Sequence, residues 1–152
     1  MKVSAALAGG LAGTLTVASI HEGLRRVTPY APRMDLLDIE LIRKGLKSIN
    51  KEIPGEDTLQ RWAVGGELIC DTAYYGLVAM GSKKQVLLRG ALFGLMAGVT
   101  AVILPKPLGL PPHPSNKTLG TQLMTVGLYL MGGLVAAAVT QLVDGAKCKR
   151  KI

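Results

Sequence analysis

The stretch WAVGGELICDTAYYGLVAM, residues 62–80, decides the fold, because it is an apolar run of spanning length that nevertheless carries two acids. A membrane-spanning helix needs about 20 predominantly apolar residues. Glu67 and Asp71 lie one helical turn apart in this run, and a charged side chain at bilayer depth costs roughly 2.5–3.5 kcal/mol on insertion scales. We therefore predict that both acids face other helices, a water-filled cavity or a bound cation rather than lipid.

Three further apolar runs accompany this one, and each is close to the spanning length or above it. The four runs predict transmembrane helices over residues 3–25, 58–80, 86–104 and 119–143. The composition agrees, since 49% of the 152 residues are hydrophobic and 18% are charged, with a mean hydropathy of +0.34. A water-soluble fold would have to bury all four runs with one Trp and one Phe, so we predict a single membrane domain over residues 1–152.

The first run also fits a signal peptide. Lys2 precedes an apolar stretch that ends in the small-residue site Val17-Ala18-Ser19, which is the order that such peptides show. The Ala and Gly content of the run instead favours a helix packed closely against other helices. We take the packed helix as the prediction.

Residues 35–50, DLLDIELIRKGLKSIN, predict an amphipathic helix between the first two spans. Apolar side chains such as Ile39 and Ile42 recur at helical spacing, and the acids precede the bases, which complements the helix dipole. Such a helix suits either the membrane surface or a groove on a partner protein. The predicted fold is therefore an all-α integral membrane bundle of four transmembrane helices plus one amphipathic interfacial helix.

Small residues recur every four positions in the first and third predicted spans. Their glycines are Gly9, Gly13, Gly90, Gly94 and Gly98. Small residues at this spacing let helix backbones approach closely in lipid, which supplies no hydrophobic driving force for association. The pattern is typical of helix packing within one monomer, and it also suits a homo-oligomer face on the third span.

The net charge of +8 points to anionic lipid head groups rather than nucleic acid, because the chain is largely apolar. Lys and Arg residues are divided almost evenly between the two predicted sides of the membrane. They are densest in the short loop over residues 83–89 and in the tail over residues 147–151, whereas Arg25 and Arg26 favour the opposite orientation. We predict that both termini are cytoplasmic.

One polar site is predicted where the end of the first span meets the start of the second. Its candidate members fall at matching depths on the two helices, or follow the i, i+4, i+7/8 spacing of one helix face. In chain order these ion- or proton-binding candidates are His21, Glu22, Arg25, Glu67, Asp71, Tyr74 and Tyr75.

Three kinds of function fit such a site. A structural network of polar side chains would fix helix packing, as in a non-enzymatic accessory subunit of a larger membrane complex. A cation- or proton-handling transporter or channel would use the acids to bind a cation or carry a proton. An intramembrane metal-dependent enzyme would hold a divalent cation such as Mg²⁺, Mn²⁺ or Ca²⁺. The candidate metal ligands are His21, Glu22, Glu67 and Asp71.

Known catalytic motifs are absent from the sequence, which leaves enzyme activity open with the balance against it. HEGLR, residues 21–25, begins like the zinc motif HExxH but places Arg25 where the second histidine would stand. A phosphate-binding loop, a nucleophile elbow and a dinucleotide fingerprint are also missing, so no cofactor beyond a divalent cation is indicated. Cys70 and Cys148 are too far apart in the predicted topology to form a disulfide.

The stretch HEGLRRVTPYAPRMDLL, residues 21–37, resembles a pattern found in small, uncharacterised multi-pass membrane proteins of bacteria. The resemblance is confined to these residues and implies no activity, but it implies a location in the bacterial inner membrane. We therefore expect a small multi-pass protein with a buried acidic site, most concretely a transporter or channel for cations or protons. An accessory subunit of a membrane complex is the main alternative.

Overall fold

The computed structural model describes residues 3–111 and 113–149, apart from the side chains of His113 and of residues 146–149. Throughout this part of the chain the regular structure is helical, with no strand. The predicted all-α class is therefore confirmed. Lys2, the side chain of Cys148 and the side chains of the predicted basic tail lie outside the described part.

Six α-helices follow one another along the described chain. They are α1 (Val3–Val27), α2 (Met34–Ser48), α3 (Glu56–Gly76), α4 (Val86–Ile103), α5 (His113–Asn116) and α6 (Leu119–Lys149). Two short 3₁₀ turns, Leu77–Ala79 and Lys83–Gln85, connect α3 to α4. The interfacial helix predicted over residues 35–50 thus corresponds to α2.

Three helical segments are long and apolar enough to cross a membrane, namely Val3–Val27, Lys83–Ile103 and Leu119–Gly145. They are compatible with a membrane protein, as predicted, but the sequence predicted four spans. The difference is α3, whose apolar stretch is interrupted by Arg61, Glu67 and Asp71 and which changes to a 3₁₀ turn after Gly76. Charges within the stretch lower its mean hydropathy. By composition, α3 is therefore not among the helices that are apolar enough to cross a membrane.

The helix α6 forms the centre of the bundle. Helices α1 and α4 pack on either side of it, and both run antiparallel to it. Helix α3 packs against α1, so α3, α1, α6 and α4 form a curved row. The two ends of the row meet where the hydroxyl of Tyr74 on α3 donates a 2.8 Å hydrogen bond to the carbonyl of Phe93 on α4.

Glycines permit the close contacts of α1 and α4 with α6. A Cβ atom added to Gly9 would lie 2.6 Å from the carbonyl oxygen of Ala136, and one added to Gly94 would lie 2.7 Å from that of Tyr129. The other predicted packing glycines that face α6 in this way are Gly13, Gly90 and Gly98. The glycine face of α4, on which we predicted a possible homo-oligomer contact, is therefore filled by α6 of the same chain, and a homo-oligomer as such stays a prediction.

The apolar face of α2 is covered in part by its own chain, while Leu36 and Ile49 of the same apolar pattern remain exposed. Ile39 is buried in a cluster with Leu59 and Ala63 of α3, and Ile42 packs against the same cluster. The sequence left open whether this face meets the membrane or a partner protein. In the folded chain it meets α3, because the turn at Pro54 brings the start of α3 back along α2.

Candidate functional site

A groove bounded by α2, α3, α4 and α6 contains the acids predicted to form the site. Its first section, a cavity of about 410 Å³, is lined by Asp38 of α2 and by Glu67 and Asp71 of α3. Its second section, a cavity of about 470 Å³, lies between α3 and α4. The two sections adjoin at Cys70, Asp71 and Tyr129, which line both of them.

The acids of α3 reach the middle of the bundle. Glu67 and Asp71 are one helical turn apart and therefore lie on the same face of α3. The depth of Asp71 follows from its neighbour Thr72, whose hydroxyl lies 3.4 Å from that of Thr14, a residue near the midpoint of α1. The groove thus extends from α2, at one end of the bundle, to about half its depth.

The three carboxylates in the groove are unpaired. None of Asp38, Glu67 and Asp71 forms a hydrogen bond or an ion pair with any residue that the structure describes. The Oδ2 atom of Asp71 is also inaccessible to solvent. Buried polar groups normally have partners, because a group without one retains the cost of losing its water. Carboxylates that lack partners in a groove are therefore candidates for binding a ligand.

Two acids at the start of α2 illustrate the contrast between a structural carboxylate and an unpaired one. Arg33 donates hydrogen bonds of 3.0 and 2.8 Å to Asp35. Burial acts to raise the pKa of Asp35, but the hydrogen bonds from Arg33 and the charges of Arg33 and Arg25 outweigh it and lower the pKa. For Asp38, burial raises the pKa to about 7, and the negative charges of neighbouring acids, chiefly Glu67, add to the effect.

Tyr129 of α6 lies against the same acids. The residue is only 9% exposed, and its hydroxyl makes no hydrogen bond to any part of the described chain. Its ring lies near enough for the charges of Asp71, Glu67 and Asp38 to act on it. Tyr129 therefore adds a phenol group to the carboxylates of the groove.

The α1 residues predicted to join the acids of α3 contact other groups. The Nε2 atom of His21, which is buried, lies 2.8 Å from the carbonyl oxygen of Pro32. Glu22 pairs with Arg25 at 3.5 Å, and Arg25 also lies 3.8 Å from Asp35. These side chains therefore stabilise the connection between α1 and α2 and do not bind the acids of α3.

The predicted cluster is therefore divided. His21 lies close enough to Glu67 to act on it electrostatically, but Glu22 and Arg25 form no ion pair with Glu67 or Asp71. The reason is that Glu22 and Arg25 lie on the exposed surface of α1, whereas the acids of α3 line the groove.

Tyr74 and Tyr75 lie one turn beyond Asp71, as their spacing predicted. Tyr74 lines the second section of the groove, and its hydroxyl bonds to α4. The hydroxyl of Tyr75 donates a 2.9 Å hydrogen bond to the carbonyl of Tyr129. Both phenols thus join helices where the groove ends, and their part in ion or proton binding stays a prediction.

The described residues contain no group of three or more His, Cys, Asp or Glu side chains placed to hold a metal ion. The predicted metal ligands are dispersed, because His21 and Glu22 have the partners given above while the two acids of α3 line the groove. This part of the chain therefore does not provide the set of side-chain ligands that we predicted for a divalent cation.

Sequence reasoning missed two members of the groove, Asp38 and Tyr129. Asp38 is one of the early acids of residues 35–50 whose position complements the helix dipole, and Tyr129 lies in an apolar run where an aromatic residue usually belongs to the core. The available signal for Tyr129 was its polar hydroxyl within a predicted span.

The chain has no significant match to any protein-family model, curated protein or solved structure.

Proposed function

We propose that the protein is a small multi-pass membrane protein that moves cations or protons through its acidic groove, as a transporter or a channel. The proposal rests on Asp38, Glu67 and Asp71, which line one groove without a hydrogen-bond or ion-pair partner in the described chain. Ionisable residues at membrane depth are costly, and they commonly mark ion pathways and proton relays.

In this proposal α3 crosses the membrane together with α1, α4 and α6. Its acids line the groove, while Val64, Leu68 and Ile69 are exposed on its surface and suit contact with lipid. Trp62 is half exposed near the start of the helix, as is typical of an interfacial anchor. Helix α2 then lies at the membrane interface, which restores four spans and one interfacial helix.

The membrane is the bacterial inner membrane, with both termini on its cytoplasmic side, as the sequence pattern suggests. The end of the bundle that carries α2 then faces away from the cytoplasm. The short basic loop that contains Lys83 and Lys84 faces anionic lipid head groups on the cytoplasmic side.

The groove supports half of a transport path. A cation entering beside α2 meets Asp38 first, then Glu67, and reaches Asp71 at mid-depth. Beyond Asp71, the hydrogen bond from Tyr74 to Phe93 closes the groove by joining α3 to α4. Passage to the other side therefore requires α3 and α4 to separate at this contact, which is a helix movement typical of gated transport.

Flux measurements in proteoliposomes test the proposal. The purified full chain is reconstituted with a trapped pH-sensitive dye, and proton movement is recorded under gradients of Na⁺, K⁺ or Mg²⁺. We expect flux through the wild type and at least a tenfold loss in Asp71→Asn and Glu67→Gln, since both remove a carboxylate charge and little volume. Asp57→Asn is the matched control, because Asp57 is an exposed acid at the start of the same helix.

The outcome separates transport from a structural role. Flux that is equal in the wild type, in Asp71→Asn and in Glu67→Gln would contradict the proposal, provided that all three proteins elute as one folded species. So would a wild type without flux under any of the three gradients. A loss confined to the two groove variants supports it.

A further inference from the structure

We infer that the groove binds a lipophilic organic cation, which enters from the bilayer between α3 and α4 and places its positive charge between Asp71 and Tyr129. The inference rests on the proposed function and names the class of substrate for the same site. It follows from the size of the groove, its lining, its charge and its opening.

The size and lining of the groove suit an organic molecule. Its two sections, about 410 and 470 Å³, each fall within the range of roughly 300–1,000 Å³ that is usual for small-molecule pockets. Inorganic cations are held by oxygen ligands on several sides. Here the carboxylates are accompanied by apolar walls, which include Leu41, Ile42, Met96, Ala97 and Ala101.

The charge of the groove favours a positive ligand. Asp38, Glu67 and Asp71 contribute carboxylates, and neither section is lined by Lys or Arg from the described chain. Because the acids lack partners within the protein, a bound cation would supply the missing countercharge. An apolar body with one positive charge thus matches both the walls and the acids.

Tyr129 provides an observation that is independent of the acids. This residue is about nine-tenths buried, its hydroxyl has no hydrogen bond to a described residue, and it lines both sections of the groove. An aromatic ring attracts a cation over its face, and the attraction grows when water is excluded. A cation beside Asp71 would lie within reach of this ring.

The second section opens sideways between two helices. Helices α3 and α4 meet at Tyr74 and Phe93, and the second section lies between them towards α2. Its rim includes Met96, which is 60% exposed, and Thr100, which is also exposed. With α3 and α4 in a bilayer, this rim faces lipid, from which a lipophilic cation can enter directly.

Equilibrium binding of tetraphenylphosphonium tests the inference. This permanent cation is dialysed against the full chain in detergent micelles at pH 8, with protein-free micelles as background and neutral triphenylphosphine oxide as the uncharged analogue. We expect saturable binding of the cation and none of the analogue. Asp71→Asn should weaken binding by about thirtyfold or more, since it removes one partner of a buried charge pair.

Two further comparisons locate the ligand in the groove. Tyr129→Leu should weaken binding by about two- to thirtyfold through loss of the ring, whereas Tyr129→Phe keeps the ring and should bind within about threefold of the wild type. Asp57→Asn should bind like the wild type. Asp38→Asn, which changes the groove from α2, supplies a second acidic variant if Asp71→Asn does not fold.

The possible results are distinct from those of the flux experiment. Absence of saturable binding, or equal binding by the wild type and the groove variants, overturns the inference. A phospholipid that native mass spectrometry finds on the protein, and that tetraphenylphosphonium does not displace, also overturns it. Ion flux that depends on Asp71 without binding of the probe overturns the inference of an organic cation and leaves transport of protons or inorganic cations intact. Binding of the probe without such flux leaves the site intact and overturns transport of protons and inorganic cations.

Discussion

The hydroxyl of Tyr75 on α3 donates a 2.9 Å hydrogen bond to the backbone carbonyl of Tyr129 on α6. Tyr75 is fully buried, and its ring packs beside Gly132, where a Cβ would lie 2.9 Å from the hydroxyl oxygen. This contact joins two helices that otherwise touch little. It therefore links the position of Tyr129 to that of the acids of α3.

Tyr75→Phe removes this hydrogen bond and leaves the ring in place. We expect the free energy of unfolding to fall by about 1 kcal/mol, as is usual for one buried hydrogen bond, with membrane-embedded bonds at the lower end. The measurement is thermal unfolding in detergent. Tyr30→Phe is the control, since Tyr30 is exposed, and a Tyr75→Phe variant as stable as that control would contradict the prediction.

Two glycines of α6 should differ in how strongly their replacement by alanine changes stability. A Cβ on Gly133 would lie 3.0 Å from Cα of Gly94 and still closer to the carbonyl oxygen of Gly90, so Gly133→Ala must push α4 away. We expect a loss of about 1–3 kcal/mol. Gly127 has no neighbour within 4 Å, so Gly127→Ala should change stability by less than about 1 kcal/mol. The midpoints of thermal unfolding of the two variants test this prediction. Equal destabilisation would show that α4 does not pack on the face of α6 that carries Gly133.

Asp38 should make stability depend on pH. Its pKa in the folded chain is raised from 3.8 to about 7, so between these values the folded state binds more protons than the unfolded state. Stability from this group is therefore present at low pH and lost as the pH rises towards 7. Asp38→Asn should match the wild type near pH 4 and exceed it at pH 8, as measured by thermal unfolding. Glu52→Gln, at an exposed acid, should show the wild-type profile, and a parallel profile for Asp38→Asn would disprove the shift.

Cys70 should report whether the groove holds water. It is an exposed free cysteine that lines both sections. With Cys148 replaced by Ser, we expect Cys70 to react with a cationic, membrane-impermeant thiosulfonate in intact vesicles, because the reactive thiolate forms in water.

The control for this labelling is Leu15→Cys in a background without the two native cysteines. Leu15 is 55% exposed at a similar depth on α1, next to Thr14, so its replacement would lie on the outer surface of the bundle, away from the groove. Labelling is read by the mass increase of the intact protein. Equal reaction at both positions, or no reaction at Cys70, would argue against an aqueous groove.

The all-α class and the approximate position of the helices were predictable because they depend on local pattern. Apolar runs of spanning length predicted α1, α4 and α6, and helical spacing of apolar residues predicted α2. Glu67 and Asp71 were predicted to share one helix face because they lie one turn apart in an apolar run, and both line the groove. These features need only a few neighbouring residues, which is why no tertiary contact was required to find them.

The membership of the site was not predictable in the same way. Whether Glu22 or Asp38 joins the acids of α3 depends on how each helix is rotated about its own axis, and that rotation follows from contacts between residues far apart in the chain. Glu22 was placed with the acids because its depth matched, but it lies on the exposed surface of α1.

The sequence by itself therefore determined the helical class, three helices long and apolar enough to cross a membrane, an amphipathic second helix and a pair of acids one helical turn apart in an apolar run, since hydropathy and periodicity are local properties. The tertiary structure alone decided that α3 covers Ile39 and Ile42 on the apolar face of α2, that α6 fills the glycine face of α4, and that Asp38 and Tyr129 line one groove with the acidic pair. The physical reason is that helix rotation and close backbone approach are fixed by packing among distant segments. Local spacing specifies only which residues share a face, and packing specifies what that face meets.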